Sequence, residues 1–323
     1  MRSPYVALVF LAAFALRVCP AILSEMPFST DAWSPIRNTM ALLDNTPIPL
    51  GDDDVFDGYN NYWPANSLFG AVFTQIVGLS PLSSMSLAVP LAGALAIPIF
   101  YALASRLLGD SRRALAASIL LSLAYPYALF TSGVTKETYA APLLMLLLFV
   151  FLACSLNLKS LLIFSLSSIA LVASHHLTSA VAAAVMAASA LAASIERFRR
   201  GLGADQAKTA FTVAFALAAA AYLAAYAGRG LRLQLTFNDL LSVASYQAVA
   251  FAFTLHASSN TRRSSNARKI AVCFISTLLV LASAIACTAT AITPSAPVLP
   301  RHYLLYAAHF ALLSPLAASG FYA

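Results

Sequence analysis

Long apolar runs recur along the whole chain and are separated by short polar or charged stretches. Most runs are close to the roughly 20 residues that an α-helix needs to cross a bilayer. The pattern therefore predicts about ten membrane-spanning helices. In chain order, the predicted spans cover residues 5–21, 82–105, 114–130, 138–156, 160–173, 178–195, 209–226, 240–255, 270–290 and 302–319.

The longest polar interruption, residues 24–81, lies between the first two predicted spans. Within it, a capping serine followed by proline at 34–35 predicts the start of a short amphipathic surface helix, which Asp44 and the residues after it would end. The stretch 65–79 is apolar but has only 15 residues and contains Asn66. We therefore expect it to lie flat or to dip into the membrane without crossing.

Composition gives the same class of protein. Of the 323 residues, 60% are hydrophobic and only 10% are charged, whereas soluble domains average about 25% charged residues. The chain is predicted to be an all-α polytopic membrane protein with one membrane-embedded domain, residues 1–323. The surface and non-crossing helices would be inserted in the loop 24–81.

The basic residues predict the orientation of these helices. Thirteen of the 19 lysines and arginines fall on one side of the predicted topology, giving that side a net charge of +10 and the other −3. Because basic loops stay in the cytoplasm, we expect a multi-pass protein of the cell membrane with a cytoplasmic N-terminus and loop 24–81 outside. The overall charge of +7 then reflects loop topology and gives no reason to expect a nucleic-acid partner.

Arg17 lies near the outer end of the first span. A cleaved signal peptide is the competing interpretation of this run, but an arginine at this position disrupts the small-residue pattern of a cleavage site. We interpret the run as a transmembrane helix, with Arg17 extending to the outer interface.

Few charged residues are predicted to face the outer leaflet, and the loop 24–81 contains two groups of candidate acids. Asp31 closely follows the first span, where it is either a solvated loop acid or a metal ligand or general base at the mouth of a membrane cavity. Asp52 and Asp54 form an Asp-x-Asp that could chelate a hard divalent cation. A solvated acidic turn is the favoured interpretation of that second group.

The next outer turns carry further candidates. Lys136 and Glu137 stand at the head of an apolar helix, either as interfacial anchors or as a cation–carboxylate pair at a site. His175 and His176 are adjacent, so in a regular helix they would not share a face and at most one would face a cavity. Arg301 precedes the last predicted span and could anchor that helix or clamp a phosphate through its planar guanidinium.

These features resemble the GT-C superfamily of membrane glycosyltransferases, and within it the catalytic subunit of oligosaccharyltransferase and its archaeal relatives. The resemblance covers the architecture of nearly the whole chain, and motifs carry it at residues 17–100 and 301–310. The matching pieces are Arg17, Thr30-Asp31, Arg37 in the surface helix, the aromatic-proline run 59–64, the non-crossing stretch 65–79, the Pro90–Ile99 segment, the basic loop 106–113 and the run 301–307.

The resemblance implies an inverting transferase. A polyprenyl-phosphate-linked sugar or glycan would enter from the outer leaflet and be passed to an acceptor protein or glycan outside the membrane. Asp31 matches the first catalytic acid, and with Glu137 it would bind Mg²⁺ or Mn²⁺. Arg301 matches the arginine that binds the donor phosphate, and Lys136 is a second candidate for that role. Arg37, Asp52, Asp54, His175 and His176 complete the candidate set.

Two departures keep other functions open. The second outer loop carries one acid, Glu137, where oligosaccharyltransferases carry a pair, and the acceptor motif Trp-Trp-Asp-Tyr-Gly does not occur. Both favour a catalytically inactive scaffold subunit as an alternative to an enzyme. A transporter or flippase for a polyprenyl lipid is the third candidate. Most predicted spans have only serine and threonine at mid-membrane depth, which counts against a transporter.

Overall fold

The computed structural model describes residues 4–45 and 58–230. Within these ranges the chain forms ten α-helices and no β-strand. They are α1 (Pro4–Ser24), α2 (Trp33–Asp44), α3 (Ala65–Val77), α4 (Pro81–Leu108), α5 (Ser111–Leu123), α6 (Tyr125–Phe130), α7 (Lys136–Ala153), α8 (Leu158–Ser174), α9 (His176–Arg199) and α10 (Gln206–Ala225). Short 3₁₀ turns occupy Thr30–Ala32, Gly58–Tyr62 and Ala227–Arg229.

Five of these helices, α1, α4, α7, α9 and α10, are long and apolar enough to cross a bilayer. This confirms the prediction of a helical membrane protein. The predicted spans at 240–255, 270–290 and 302–319 lie outside the described residues. The total of about ten spans, and the orientation of the helices in the membrane, therefore stay predictions.

The predicted span 114–130 is not one helix. It consists of α5 and α6, with a break at Ala124, whose φ and ψ are −58° and 108°. Pro126 lies in the first turn of α6, and in a continuous helix it would lack the N–H that bonds to the carbonyl four residues earlier. Proline is tolerated in a first turn, so the chain restarts the helix around it.

The long loop contains the two expected helices. The surface helix α2 begins at Trp33, directly after the 3₁₀ turn, so Ser34 is not its cap as predicted. Helix α3 has 13 residues, or about 20 Å at 1.5 Å per residue, against a hydrocarbon core of about 30 Å. Its length agrees with a helix that does not cross, which stays a prediction.

Helix α4 is the central packing element of the described part. It contacts α1, α2, α3, α5 and α7. At Gly93 its backbone approaches the turn before α7 so closely that a Cβ would lie 2.9 Å from the Thr131 carbonyl oxygen and 2.9 Å from Cγ2 of Thr138. Only glycine fits this spacing without a shift of the α7 turn.

The far end of α4 leads into a charged turn. Asp110 caps α5 by accepting hydrogen bonds from the backbone N–H groups of Arg112 at 2.8 Å and Arg113 at 3.4 Å. These two donors favour the ionised carboxylate and hold the pKa of Asp110 below its ordinary value. Because α4 is 28 residues long, about 42 Å, this turn is far from the start of α4.

The chain divides into two compact units. The first comprises residues 1–186 and 206–232, and it contains Asp31, Trp63, Lys136, Glu137 and His175. The second comprises residues 187–205 and 233–323, most of which lie outside the described ranges. The prediction of a single domain over 1–323 is therefore untested.

Candidate functional site

The loop between α1 and α2 and the turn before α7 come together in the fold. A Cβ on Gly133 would lie 3.2 Å from Cβ of Ser29 and 3.3 Å from the carbonyl oxygen of Phe28. Beside this contact, Ala32 and Val134 are both buried in one apolar cluster. The loop that carries Asp31 and the turn that leads to Lys136 and Glu137 therefore pack against each other.

Lys136 is the first residue of α7, which Thr135 caps by accepting a hydrogen bond from the N–H of Thr138 at 3.2 Å. The lysine is only 8% exposed. Its Nζ lies 5.6 Å from the ring centroid of Trp63, within the range of a cation–π contact. Buried lysines are uncommon because burial removes the hydration of the ammonium group. The interfacial-anchor interpretation of Lys136 does not describe this environment.

Glu137 is half-exposed, and its Oε1 lies 3.2 Å from Nε2 of the buried His175. On the other side of the ring, Nδ1 of His175 lies 2.7 Å from Oγ1 of Thr178 and 3.4 Å from the Thr178 backbone nitrogen. A backbone N–H can only donate, so Nδ1 accepts and Nε2 carries the proton toward Glu137. His175 thus caps the start of α9 and fixes the position of the carboxylate.

His176 packs against Trp63, the residue that also contacts Lys136, with ring centroids 4.9 Å apart. The two adjacent histidine rings are themselves 5.0 Å apart and nearly perpendicular. The prediction that at most one of them faces the site assumed that both are helical. His175 instead has an extended backbone, with φ −158° and ψ 120°, so both rings point toward the same cluster.

Two tyrosines of the α10 end hold the segment that carries Trp63. The hydroxyl of Tyr222 donates to the carbonyl oxygen of Tyr62 at 2.9 Å, and that of Tyr226 donates to the carbonyl oxygen of Asn61 at 3.0 Å. The rings of these tyrosines and of Trp63 also form one apolar cluster. The aromatic-proline run is therefore fixed by residues about 160 positions later in the sequence.

The remaining candidates are exposed or lie outside the described residues. Asp31 is exposed in the 3₁₀ turn, where its N–H donates to Oγ of Ser29 at 3.3 Å. Arg37 is exposed on α2. Asp52, Asp54 and Arg301 fall outside the described ranges, so their roles stay predictions.

Arg17 does not extend to the interface, and that prediction is wrong. Its side chain is fully buried, with Nε donating to Oγ1 of Thr131 at 2.8 Å and Nη1 to the Ala13 carbonyl oxygen at 2.9 Å. The guanidinium carbon lies 5.3 Å from the ring centroid of Tyr127. The acceptors at Thr131, just after α6, and at Ala13 on α1 compensate the burial of Nε and Nη1, whereas Nη2 is buried without a partner in the part of the chain that the structure describes.

The metal implied by the resemblance requires converging ligands. In the described ranges, no three histidine, cysteine or carboxylate side chains are placed to hold a metal ion together. One oxygen of Glu137 is already engaged by His175. The described side chains alone therefore do not make up a Mg²⁺ or Mn²⁺ site, and no chemical step below is assigned to a metal.

Sequence reasoning missed three contributors: Trp63 as the surface against Lys136, Thr178 as the partner of His175, and Tyr226 as an anchor. In the sequence, only the position of Trp63 next to a proline in a polar loop indicated that Trp63 could contribute to a site. The tyrosines had no such signal, because their partners are backbone carbonyls distant in sequence.

No protein-family model matches the chain, and no curated protein matches it significantly. The functional conclusion therefore depends on the residues and their geometry.

Proposed function

We propose that the chain is a membrane glycosyltransferase that moves a sugar or glycan from a polyprenyl-phosphate-linked donor to an acceptor on the outer face of the membrane. The observation that carries the proposal is the contact between the loop bearing Asp31 and the turn bearing Lys136 and Glu137. It brings two short segments with acids and a cation to one end of a bundle of apolar helices. The resemblance to GT-C enzymes assigns the chemistry to these same two segments.

In the proposed reaction, an acceptor oxygen attacks C1 of the donor sugar. The bond between C1 and the phosphate oxygen breaks, and the phosphate leaves with the bonding electron pair as polyprenyl phosphate. The proton of the acceptor passes to a carboxylate, for which Asp31 is the candidate because it is exposed. Glu137, held by His175, supplies a second fixed negative charge near the acceptor.

The leaving phosphate develops negative charge that a cation would stabilise. Lys136 is the described cation nearest to Glu137 in sequence, and it is buried beside Trp63. Because its Nζ is buried, it acts in this conformation through the positive potential of the site and not through direct contact with the phosphate. That potential is stronger here than in water, since the local dielectric constant is lower. Arg301 would add a direct phosphate contact, as the resemblance implies.

The test is incubation of the full chain, purified into lipid nanodiscs, with polyprenyl-phosphate sugars. Release of polyprenyl phosphate and transfer of the sugar are measured by mass spectrometry, with and without Mn²⁺. We expect release by the wild type, and a loss of about 100-fold or more in Asp31→Asn, which keeps the shape but removes the charge and basicity. Asp53→Asn should retain most of the activity.

Asp110→Asn is the matched control, because it changes an exposed carboxylate at the far end of α4 and asparagine also caps helices well. Size-exclusion profiles of all variants must match that of the wild type. Binding of the donor without release would favour a scaffold subunit, and movement of intact donor between leaflets would favour a flippase. Either result would overturn the proposal.

A further inference from the structure

A groove lies between the end of α1 and the start of α4, outside the site described above. It has a volume of about 310 Å³, at the lower end of the roughly 300–1,000 Å³ of ligand pockets. Val18, Ile22 and Leu87 contribute apolar walls, and Glu25, Ser83 and Ser86 contribute polar groups. One wall belongs to α1, which has the length and composition of a membrane span.

Glu25 supplies an exposed carboxylate to the groove. It directly follows α1, where the unpaired carbonyl groups of a helix end repel a negative charge. Its backbone has φ 56°, in the left-handed region that costs a non-glycine residue roughly 1–2 kcal/mol. Among the described residues, Glu25 has no ion-pair or hydrogen-bond partner for its carboxylate. A cation bound at this carboxylate would offset the repulsion between the carboxylate and the helix-end carbonyl groups.

The local hydrogen bonds hold Glu25 in this position. Oγ of Ser24 donates to the Pro20 carbonyl oxygen at 2.7 Å and accepts from the N–H of Met26 at 3.3 Å. These bonds turn the chain sharply at the end of the helix. Glu25 therefore lines the groove directly after the last turn of α1.

The chemistry of the groove selects its occupant. Apolar walls on a membrane span suit an acyl chain, and a carboxylate at the interface suits a positively charged headgroup. Ser83 and Ser86 offer hydroxyl donors to a phosphate. We propose that the groove binds a bilayer phospholipid whose headgroup carries a primary ammonium, with the ammonium on Glu25 and the chain along Ile22 and Leu87.

This site is independent of the proposed transferase reaction. A polyprenyl phosphate is anionic, so Glu25 would repel it, whereas an aminophospholipid has both the cation and the phosphate that the groove can bind. The bound lipid would remain while donors come and go at the Asp31 segment. Loss of one function therefore does not imply loss of the other.

The test compares lipids retained on the purified full chain by native mass spectrometry. The probes are phosphatidylethanolamine, phosphatidylglycerol and phosphatidylcholine of equal chain length and mole fraction, together with a polyprenyl phosphate. We expect wild-type protein to retain phosphatidylethanolamine over phosphatidylglycerol by about two- to fivefold, the range set by exposed ion pairs. The quaternary ammonium of phosphatidylcholine cannot donate hydrogen bonds and should be retained less well.

Different variants test the binding of the lipid headgroup and the binding of the acyl chain. Glu25→Gln should abolish the preference for phosphatidylethanolamine, whereas Glu25→Asp should keep part of it. Ser86→Phe should fill the groove and lower retention of all the phospholipids. Asp44→Asn is the matched control, since Asp44 is exposed in the same loop but does not line the groove. Equal retention of the phospholipids by wild type, a preference that survives in Glu25→Gln, or stronger retention of polyprenyl phosphate would overturn the proposal.

Discussion

The two cations that are buried among the described residues, Arg17 and Lys136, differ in what surrounds them. Arg17 and Lys136 each lie over an aromatic ring, at 5.3 Å from the centroid of Tyr127 and 5.6 Å from that of Trp63. Arg17 donates hydrogen bonds to Ala13 in its own helix and to Thr131 in the turn before α7, and no described carboxylate forms an ion pair with it. Lys136 begins a helix whose second residue is the half-exposed Glu137.

The difference shows that burial of a charge does not by itself indicate a ligand site. Arg17 uses Nε and Nη1 as donors within the protein, while Nη2 is buried with no partner among the described residues. The bond from Nε to Thr131 joins α1 to the turn before α7. Lys136 is part of a cluster in which an exposed carboxylate and two histidines meet. We therefore assign Arg17 to the structure and Lys136 to the proposed reaction.

The largest expected effect separates these assignments by activity. Lys136→Met should lower polyprenyl-phosphate release by about 100-fold, as expected when a group that stabilises developing charge is removed. Arg17→Met should leave the rate close to that of the wild type, because methionine fills the same space and a buried charge can be replaced by an apolar residue at little cost. Rates are measured in nanodiscs. An equal loss of activity in the two variants would contradict these assignments.

A measurement of stability tests the hydrogen bond between Arg17 and Thr131 directly. Thr131→Val leaves Nε of Arg17 buried without an acceptor, at a cost of about 1–3 kcal/mol. In an Arg17→Met background the same change should cost less, because there is no donor to leave unsatisfied. Thermal unfolding of the four proteins in the double-mutant cycle measures this coupling. An equal cost of Thr131→Val in both backgrounds would contradict the proposed tie.

Variants of His175 test whether the cluster of Lys136 and Glu137 takes part in the proposed reaction. His175→Ala removes both the cap of α9 and the partner of Glu137, and should lower the stability by about 1 kcal/mol. His175→Asn can still cap the helix but is too short to hold Glu137 in place. We expect it to keep most of the stability while activity falls by roughly tenfold or more, since small displacements of positioning groups are costly. Activity and thermal unfolding are measured together. A His175→Asn protein with full activity would show that His175 acts only as a cap.

The smallest expected effect concerns the tyrosines that hold the Trp63 segment. Tyr226→Phe removes one hydrogen bond to a backbone carbonyl and should cost about 0.5–1.5 kcal/mol. Hydrogen exchange should rise in residues 58–64 and remain unchanged around Arg17. Faster exchange in both regions would mean that the two clusters are not separate.

The sequence predicted the helices better than the site. Apolar runs identify α1, α4, α7, α9 and α10, because a span needs length and little charge. The break at Ala124 was missed, although Pro126 could have indicated it. Burial of Arg17 was not predictable, because its acceptor Thr131 is 114 residues away.

The candidate site was predicted in part. Charge and position alone identified Lys136, Glu137 and the two histidines. The pairing of Glu137 with His175 depends on an extended backbone just before α9, which the sequence does not encode locally. The same limit applies to Trp63, since a loop tryptophan becomes part of a site only when distant residues bring it there.

The close approach at Gly133 has a consequence for how the sequence can vary. An alanine at 133 would meet Cβ of Ser29 at 3.2 Å, while Ser29 itself has φ 84°, a conformation that glycine adopts freely. A glycine at 29 would remove this contact and the strain together, which leaves Cγ2 of Thr135 at 3.0 Å and the Phe28 carbonyl oxygen at 3.3 Å to shift slightly. Among relatives of this chain, we expect larger residues at 133 to occur with glycine at 29, so that the two positions vary as a pair.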